Sequence, residues 1–188
     1  SGSSGNSIYI GSQEKNILID PNFLVKPTIN PDIVLITHEH DDHISPKKLE
    51  IFDNYSLYAP DSVYDNFNID GKTVQGGDHI DDIEVIDCEC YGSKGSVCYY
   101  YNGIYHTADA SSYKNPNNEV EVLFTACFDN LYNDYLKSIR KIGPDISIPY
   151  HVDPNEYDDM KEAQGLKEVL EENGFKSKIL NLKEEITV

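Results

Sequence analysis

His38, His40, Asp42 and His43 put four ligand-type side chains within the six residues His38-Glu39-His40-Asp41-Asp42-His43. Imidazole nitrogens and carboxylate oxygens are the donors that zinc, iron and manganese take. Two histidines separated by one residue lie on the same side of an extended backbone, so His38 and His40 can address a common point. Asp42 and His43 follow once the chain turns, and can address a second point a few ångströms away. Two ions roughly 3.5–4 Å apart would share and ionise a bridging water. The plainer reading is a helix N-terminus that happens to carry acids and histidines. Three of the six histidines in the chain fall in this one window, which favours the metal reading.

Such a cluster needs rigid support, and the residues before it supply the pattern. Asp32 to Thr37 (DIVLIT) is an almost continuous apolar run, expected of a strand buried on both faces, and it ends at His38. The same arrangement recurs twice. Asp109 follows Ile104-Tyr105-His106-Thr107-Ala108, and His151 follows Ile146-Ser147-Ile148-Pro149-Tyr150. Alone, Asp109 reads as a turn cap and His151 as a loop residue. Adjacent strand ends gather distant residues, however, and together with the first cluster both are expected to be metal ligands. His106 is expected to point away from the site or to support it from behind. His79, in a Gly-Gly-Asp-His turn, is expected on the surface.

The remaining elements follow from alternation and punctuation. Strands are predicted at 8–10, 16–19, 57–58, 73–74, 84–87, 97–101, 104–107, 120–125, 146–149 and 178–182. Asn102-Gly103 marks a tight hairpin between two of them. A helix should start at Ser45-Pro46, another should span 132–141 and end at Gly143-Pro144, and a third should span 160–173 and end at Gly174. Ser1 to Gly5 reads as a glycine-rich turn rather than a phosphate cradle, because a strand and not a helix follows. Strands come first and then alternate with helices. That order predicts an α/β (α+β) domain spanning 1–188, with two mixed sheets flanked by helices.

Composition narrows the function classes. The chain has 188 residues, 39% of them hydrophobic, with 14 Tyr and no Trp, as suits one folded domain. Its formal net charge is −18, from 33 acidic and 15 basic residues. A surface so negative repels phosphodiester backbones, so nucleic acid is not an expected partner and a nuclease is disfavoured. The charge points instead to a small-molecule substrate. Glu168, Glu171 and Glu172 are expected on a solvated helix face. No run is long and apolar enough to span a bilayer, and no secretory pattern opens the sequence. Cys88, Cys90, Cys98 and Cys127 form no CxxC pair and sit in or beside strand-like runs, as reduced thiols do. A cytoplasmic location is therefore expected.

These motifs resemble those of the metallo-β-lactamase superfamily. Its HxHxDH motif is matched by His38, His40, Asp42 and His43. Ile17-Leu18-Ile19-Asp20-Pro21 looks like its opening strand and terminal aspartate, Asp109 like its bridging aspartate, and Ile148-Pro149-Tyr150-His151 like its last histidine strand. The ILIDP and IPYH segments are most similar to the small hydrolases of the ascorbate-6-phosphate lactonase type. The resemblance implies a four-layer αββα sandwich that carries one or two Zn2+ ions, or Mn2+ or Fe2+. His38, His40, His43, Asp42, Asp109 and His151 would hold the ions, and Asp42 would also orient the nucleophile. A metal-activated hydroxide would then attack a small ester, lactone or phosphoester.

Two departures stand out. Gly usually precedes the bridging aspartate, where Ala108 stands here. The family also supplies a further histidine before that aspartate, whereas the comparable stretch, Glu89 to Ser96, contains none. Cys90 lies in it, and thiolate binds zinc well. A thiol packed beside a strand is nevertheless the simpler expectation for Cys90. The missing histidine also leaves open a non-catalytic or single-metal member that binds a ligand or partner.

Overall fold

The structure, a computed structural model, describes residues 6–187. Ser1 to Gly5 lie outside the described residues. Two sheets form the centre. In the first, β1 (Ile8–Gly11) pairs antiparallel with β2 (Asn16–Ile19), and β3 (Ile33–Leu35), β4 (Ser56–Ala59) and β5 (Lys72–Thr73) continue parallel in that order. The second contains β6 (His79–Ile80), β7 (Ile83–Glu89), β8 (Val97–Tyr101), β9 (Ile104–His106), β10 (Ser112–Tyr113), β11 (Val122–Ala126) and β12 (Ile146–Tyr150). Its order is β10-β7-β8-β9-β11-β12, with β6 also on β7.

Side-chain alternation explains why so many strand residues are apolar on both sides. Ile17, Ile19, Ile33 and Leu35 meet Ile83, Val85, Val97 and Tyr99 between the sheets. The intervening Leu18, Val34 and Ile36 face outwards, under the two short helices α1 (Pro46–Leu49) and α2 (Asp61–Asn66). On the far side, Cys98, Tyr100, Tyr105 and Leu123 pack beneath α3 (Tyr132–Ile142) and α4 (Tyr157–Glu172). The result is the two mixed sheets flanked by helices that the element order predicts, in the four-layer αββα sandwich that the family resemblance implies.

Local signals are realised closely. Asn102 and Gly103 have φ of 45° and 81°, the two left-handed residues that join twisted strands in a tight hairpin. Ser45 precedes α1 with Pro46 in its first turn, although the serine hydroxyl makes no cap bond. At the end of α4 the Gly174 amide donates to the Glu171 carbonyl and the Phe175 amide to the Leu170 carbonyl. This reciprocal closure needs a left-handed residue at 174, where φ is 85°. Glu168, Glu171 and Glu172 are exposed on that helix, as expected.

One predicted strand does not form. In place of a strand at 178–182, a single bridge joins Ser177 to Ser147 on β12. The Ser147 amide donates to the Lys176 carbonyl and the Lys178 amide to the Ser147 carbonyl. The next ladder bond would need an amide hydrogen at residue 149, which is proline, so pairing stops there. Helix α2 and the two-residue strands β6 and β10 were not anticipated, being too short to leave a periodic signature. Among the described residues, no helix is long and apolar enough to cross a membrane.

Candidate metal centre

Five strand ends deliver the candidate ligands to one place. β3 leads through Thr37 to His38, β9 through Thr107 and Ala108 to Asp109, and β12 to His151. β2 leads directly to Asp20, and β7 runs out one residue before Cys90. Three of these junctions are left-handed at non-glycine residues, with φ of 52° at Asp20, 51° at Ala108 and 68° at His151. An L-residue costs roughly 1–2 kcal/mol in that conformation. This accounts for the glycine usually found where Ala108 stands.

Two groups of donors converge. His38, His40, Cys90 and Asp109 each present a ligand atom within 4.8 Å of the others, and so do Asp42, His43, Asp109 and His151. Asp109 belongs to both. In the second group His43 Nε2 lies 2.9 Å from Asp109 Oδ2 and 3.8 Å from Asp42 Oδ2. His151 Nε2 lies 2.9 Å from Asp42 Oδ2 and 3.2 Å from Asp109 Oδ2. Donors about 2.0–2.1 Å from a shared tetrahedral ion stand about 3.3 Å apart, so these separations bracket what a cation requires. In the first group His38 Nε2 is 2.9 Å from His40 Nδ1 and 3.5 Å from Cys90 Sγ. Among the described residues, Asp109 Oδ1 is buried with no hydrogen-bond partner. An unpartnered buried carboxylate oxygen is costly unless a cation or donor takes it.

A buried polar frame fixes the imidazoles. Asp20, wholly buried, accepts from the Thr37 amide and hydroxyl, each at 2.8 Å, and from the Tyr150 hydroxyl at 3.2 Å. Its Oδ2 lies 2.8 Å from His43 Nδ1, which leaves Nε2 of that ring facing Asp109. The Thr37 hydroxyl also contacts His38 Nδ1 at 3.0 Å. Asn6 Nδ2 donates to Asp42 Oδ2 at 3.2 Å. A carboxylate or hydroxyl behind an imidazole selects its tautomer and raises its basicity.

The electrostatics follow from burial and pairing. Burial alone would lower the pKa of His43, but the Asp109 and Asp20 carboxylates outweigh it and hold it well above the usual value. At His151 burial is likewise outweighed by hydrogen bonds to Asp109 and Asp42, which push its pKa up to about 10. His38 goes the other way. Burial and the neighbouring His43 depress it to about 4. Burial would raise Asp109, but His43 and His151 bring it well below the ordinary carboxylate range.

Glu39, between the two leading histidines, has a separate task. Its buried carboxylate accepts from Ser62 Oγ and Ser93 Oγ, each at 2.9 Å, and from the Lys94 amide at 2.6 Å. It thereby ties the 93–95 loop to the ligand segment. Burial opposes ionisation, yet these donors bring its pKa down to about 2, from an ordinary 4.5. A depressed carboxylate stabilises the fold fully above its unfolded value and loses that contribution as pH falls through its folded one. Glu39→Gln should therefore cost about 1.5–3 kcal/mol near neutrality. The gap in Tm between wild type and variant should close as pH falls from 4.5 towards 2. A gap constant over that range would contradict this role.

All six ligands expected from the sequence, His38, His40, Asp42, His43, Asp109 and His151, fall within the two groups. His79 is exposed on β6, and His106 belongs to neither group, both as expected. Instead, His106 Nδ1 accepts from the Ala108 amide and its ring lies against Tyr150. Cys90 differs from the simpler expectation, since its thiol faces His38 rather than packing away beside the strand. The supporting roles of Asn6, Thr37, Glu39 and Tyr150 were not foreseen. Asp20 entered only through the family resemblance, although it carries the signature that revealed Asp109 and His151, a polar residue closing an apolar strand.

Comparison with known proteins bears on the family and the fold. Residues 3–151 match the family profile described as beta-lactamase superfamily domain. A search of curated proteins gives no match. Among solved structures, a protein of Parabacteroides distasonis ATCC 8503 provisionally named a metal-dependent hydrolase superposes with a TM-score of 0.73. It is 21% identical over 94% of this chain and 89% of its own. Igni18, a metallo hydrolase from Ignicoccus hospitalis KIN4/I, gives 0.71 at 16% identity over 94% and 92% of the two chains. The isothiocyanate hydrolase from Delia radicum gut bacteria gives 0.62 at 14% identity over 95% and 94%. At such identities the likeness speaks for the fold, while the profile match covers most of the chain. The chain belongs to the beta-lactamase superfamily and has the metallo-β-lactamase fold.

Proposed function

We propose that the protein is a cytoplasmic metal-dependent hydrolase with a dinuclear centre, Zn2+ being the first choice of ion. The observation that carries the reading is Asp109, common to both donor groups and holding a buried oxygen without a partner. His38, His40 and Asp109 would hold one ion, and Asp42, His43, Asp109 and His151 the other. When bound, such ions bring the pKa of a shared water towards neutrality and polarise the group under attack.

The chain's own residues supply the rest. Asp42, the more exposed of the two ligand carboxylates, is held by Asn6 and His151 and stands where it can orient the nucleophile and accept its proton. Asp20 keeps His43 in the tautomer that presents Nε2. No Lys or Arg side chain hydrogen-bonds to these ligands among the described residues, and the net charge is −18. A small ester or lactone of low charge fits that field better than a polyanion. Phosphoesters are the second choice. The ILIDP and IPYH segments support placing the chain in the ascorbate-6-phosphate lactonase-like branch, whose lactone chemistry suits the reading while its phosphate does not suit the field. We also read residues 1–188 as a single domain.

Metal analysis of protein purified without chelator tests the reading. Close to two equivalents of transition metal are expected. No metal, even after soaking with zinc or manganese, would sink it in favour of a ligand-binding role. Binding should also release protons, because ions take deprotonated ligands while Asp109, Asp20 and Asp42 hold protons on His43 and His151. Affinity should thus rise with pH across the neutral range. Titration calorimetry in buffers of different ionisation enthalpy reads the proton count, and a count of zero would contradict the charge arrangement.

A further inference from the structure

We infer that Cys90 is a thiolate ligand, completing a His38-His40-Cys90-Asp109 site that selects a soft ion. The inference rests on the metal-centre reading and concerns which atom fills the place left by the missing histidine. Three observations support it beyond the presence of a cysteine. Cys90 Sγ lies 3.5 Å from His38 Nε2, inside the same cluster as His40 and Asp109. The shared Asp109, more than nine-tenths buried, retains an oxygen with no partner.

The third observation is that the loop is built to hold the thiol there. The Cys90 amide donates to Ser96 Oγ at 3.2 Å, and that hydroxyl donates to the Cys88 carbonyl at 2.9 Å. The Ser93 amide closes a turn onto the Cys90 carbonyl at 3.3 Å. Glu39 then fastens Ser93 and Lys94. The residue between the two leading histidines thus anchors the loop that carries the third donor. At Gly92 the same loop runs beside His40, where an added Cβ would make ordinary van der Waals contact with its Nε2 at 3.7 Å.

Softness follows from the donor set. A site of two imidazoles, one thiolate and one carboxylate favours zinc or cobalt over manganese or magnesium, whereas a pair of carboxylates with two imidazoles accepts harder ions. The two halves of the centre should therefore differ in preference. On binding, the thiol proton goes to solvent and a metal–sulfur bond forms, with no change of oxidation state.

Cobalt substitution of the full chain provides the test. Metal-stripped protein titrated with Co2+ should develop a near-ultraviolet sulfur-to-cobalt charge-transfer band. Cys90→Ser should lose the band, Cys127→Ser should keep it, and Cys90→His should bind cobalt without it. Zinc affinity of Cys90→Ser should fall roughly tenfold or more, while circular dichroism reports an intact fold. Cobalt bound at about two equivalents without the band, or a band that survives in Cys90→Ser, overturns the Cys90 assignment and leaves the metal centre standing. No binding of cobalt or zinc overturns both.

Discussion

Asp109→Asn is expected to empty both halves of the centre and to reduce hydrolysis by on the order of a thousandfold. The reason is geometric. Asp109 alone belongs to both donor groups, so its removal withdraws one ligand from each. Ion stabilisation of developing charge is worth several kcal/mol, and each 1.4 kcal/mol is about a factor of ten in rate. Asp42→Asn makes the comparison, since Asp42 belongs only to the group with His43 and His151. It should retain about one equivalent of metal where Asp109→Asn retains well under one. Metal content by mass spectrometry is the substrate-independent readout, and a panel of p-nitrophenyl esters and phosphodiesters supplies the rates. Two full equivalents in purified Asp109→Asn would show that the aspartate is not shared.

The same residue marks how much could be read without coordinates. His38 to His43 declare themselves because ligand spacing is local. Asp109 and His151 are legible because each closes an apolar strand, and strand ends are where an α/β sandwich gathers side chains. The four layers are legible too, since Leu18, Val34 and Ile36 are apolar on the face that a single-sided sheet would leave polar. What escaped depends on contacts between distant segments. Nothing around Glu39 says that its carboxylate will meet Ser62, Ser93 and Lys94, and although Cys90 stands in the stretch that lacks the family's histidine, only the folded loop turns its thiol towards His38. The absent C-terminal strand was set by its neighbour. Residues 178–182 have adequate strand character, but Pro149 on the receiving edge has no amide to offer.

Asp20→Ala should be the most destabilising single change at the site. Asp20 lies at the bottom of the centre, fully buried, and holds the Thr37 amide and hydroxyl, His43 Nδ1 and the Tyr150 hydroxyl at once. Removing one partner of a buried ionic pair costs about 3–5 kcal/mol, on the order of 10 °C in Tm for a chain of this size. Tyr150→Phe, which removes the hydroxyl shared between the same carboxylate and the Asn6 carbonyl, should cost only about 1–2 kcal/mol. Burial would raise the pKa of Asp20, but His43 brings it below the ordinary 3.8. Its contribution is therefore complete above that value and is lost as pH falls through the lower folded one, so the gap from wild type should narrow only in strong acid. Freed from the carboxylate, His43 also loses its fixed tautomer, and metal affinity should drop ten- to a hundredfold. Thermal melts with and without chelator separate the two effects. A structural role leaves most of the Tm loss in chelated protein. A loss confined to the metal-loaded form would mean that Asp20 only tunes the ligand, and that the fold does not depend on the carboxylate beneath it.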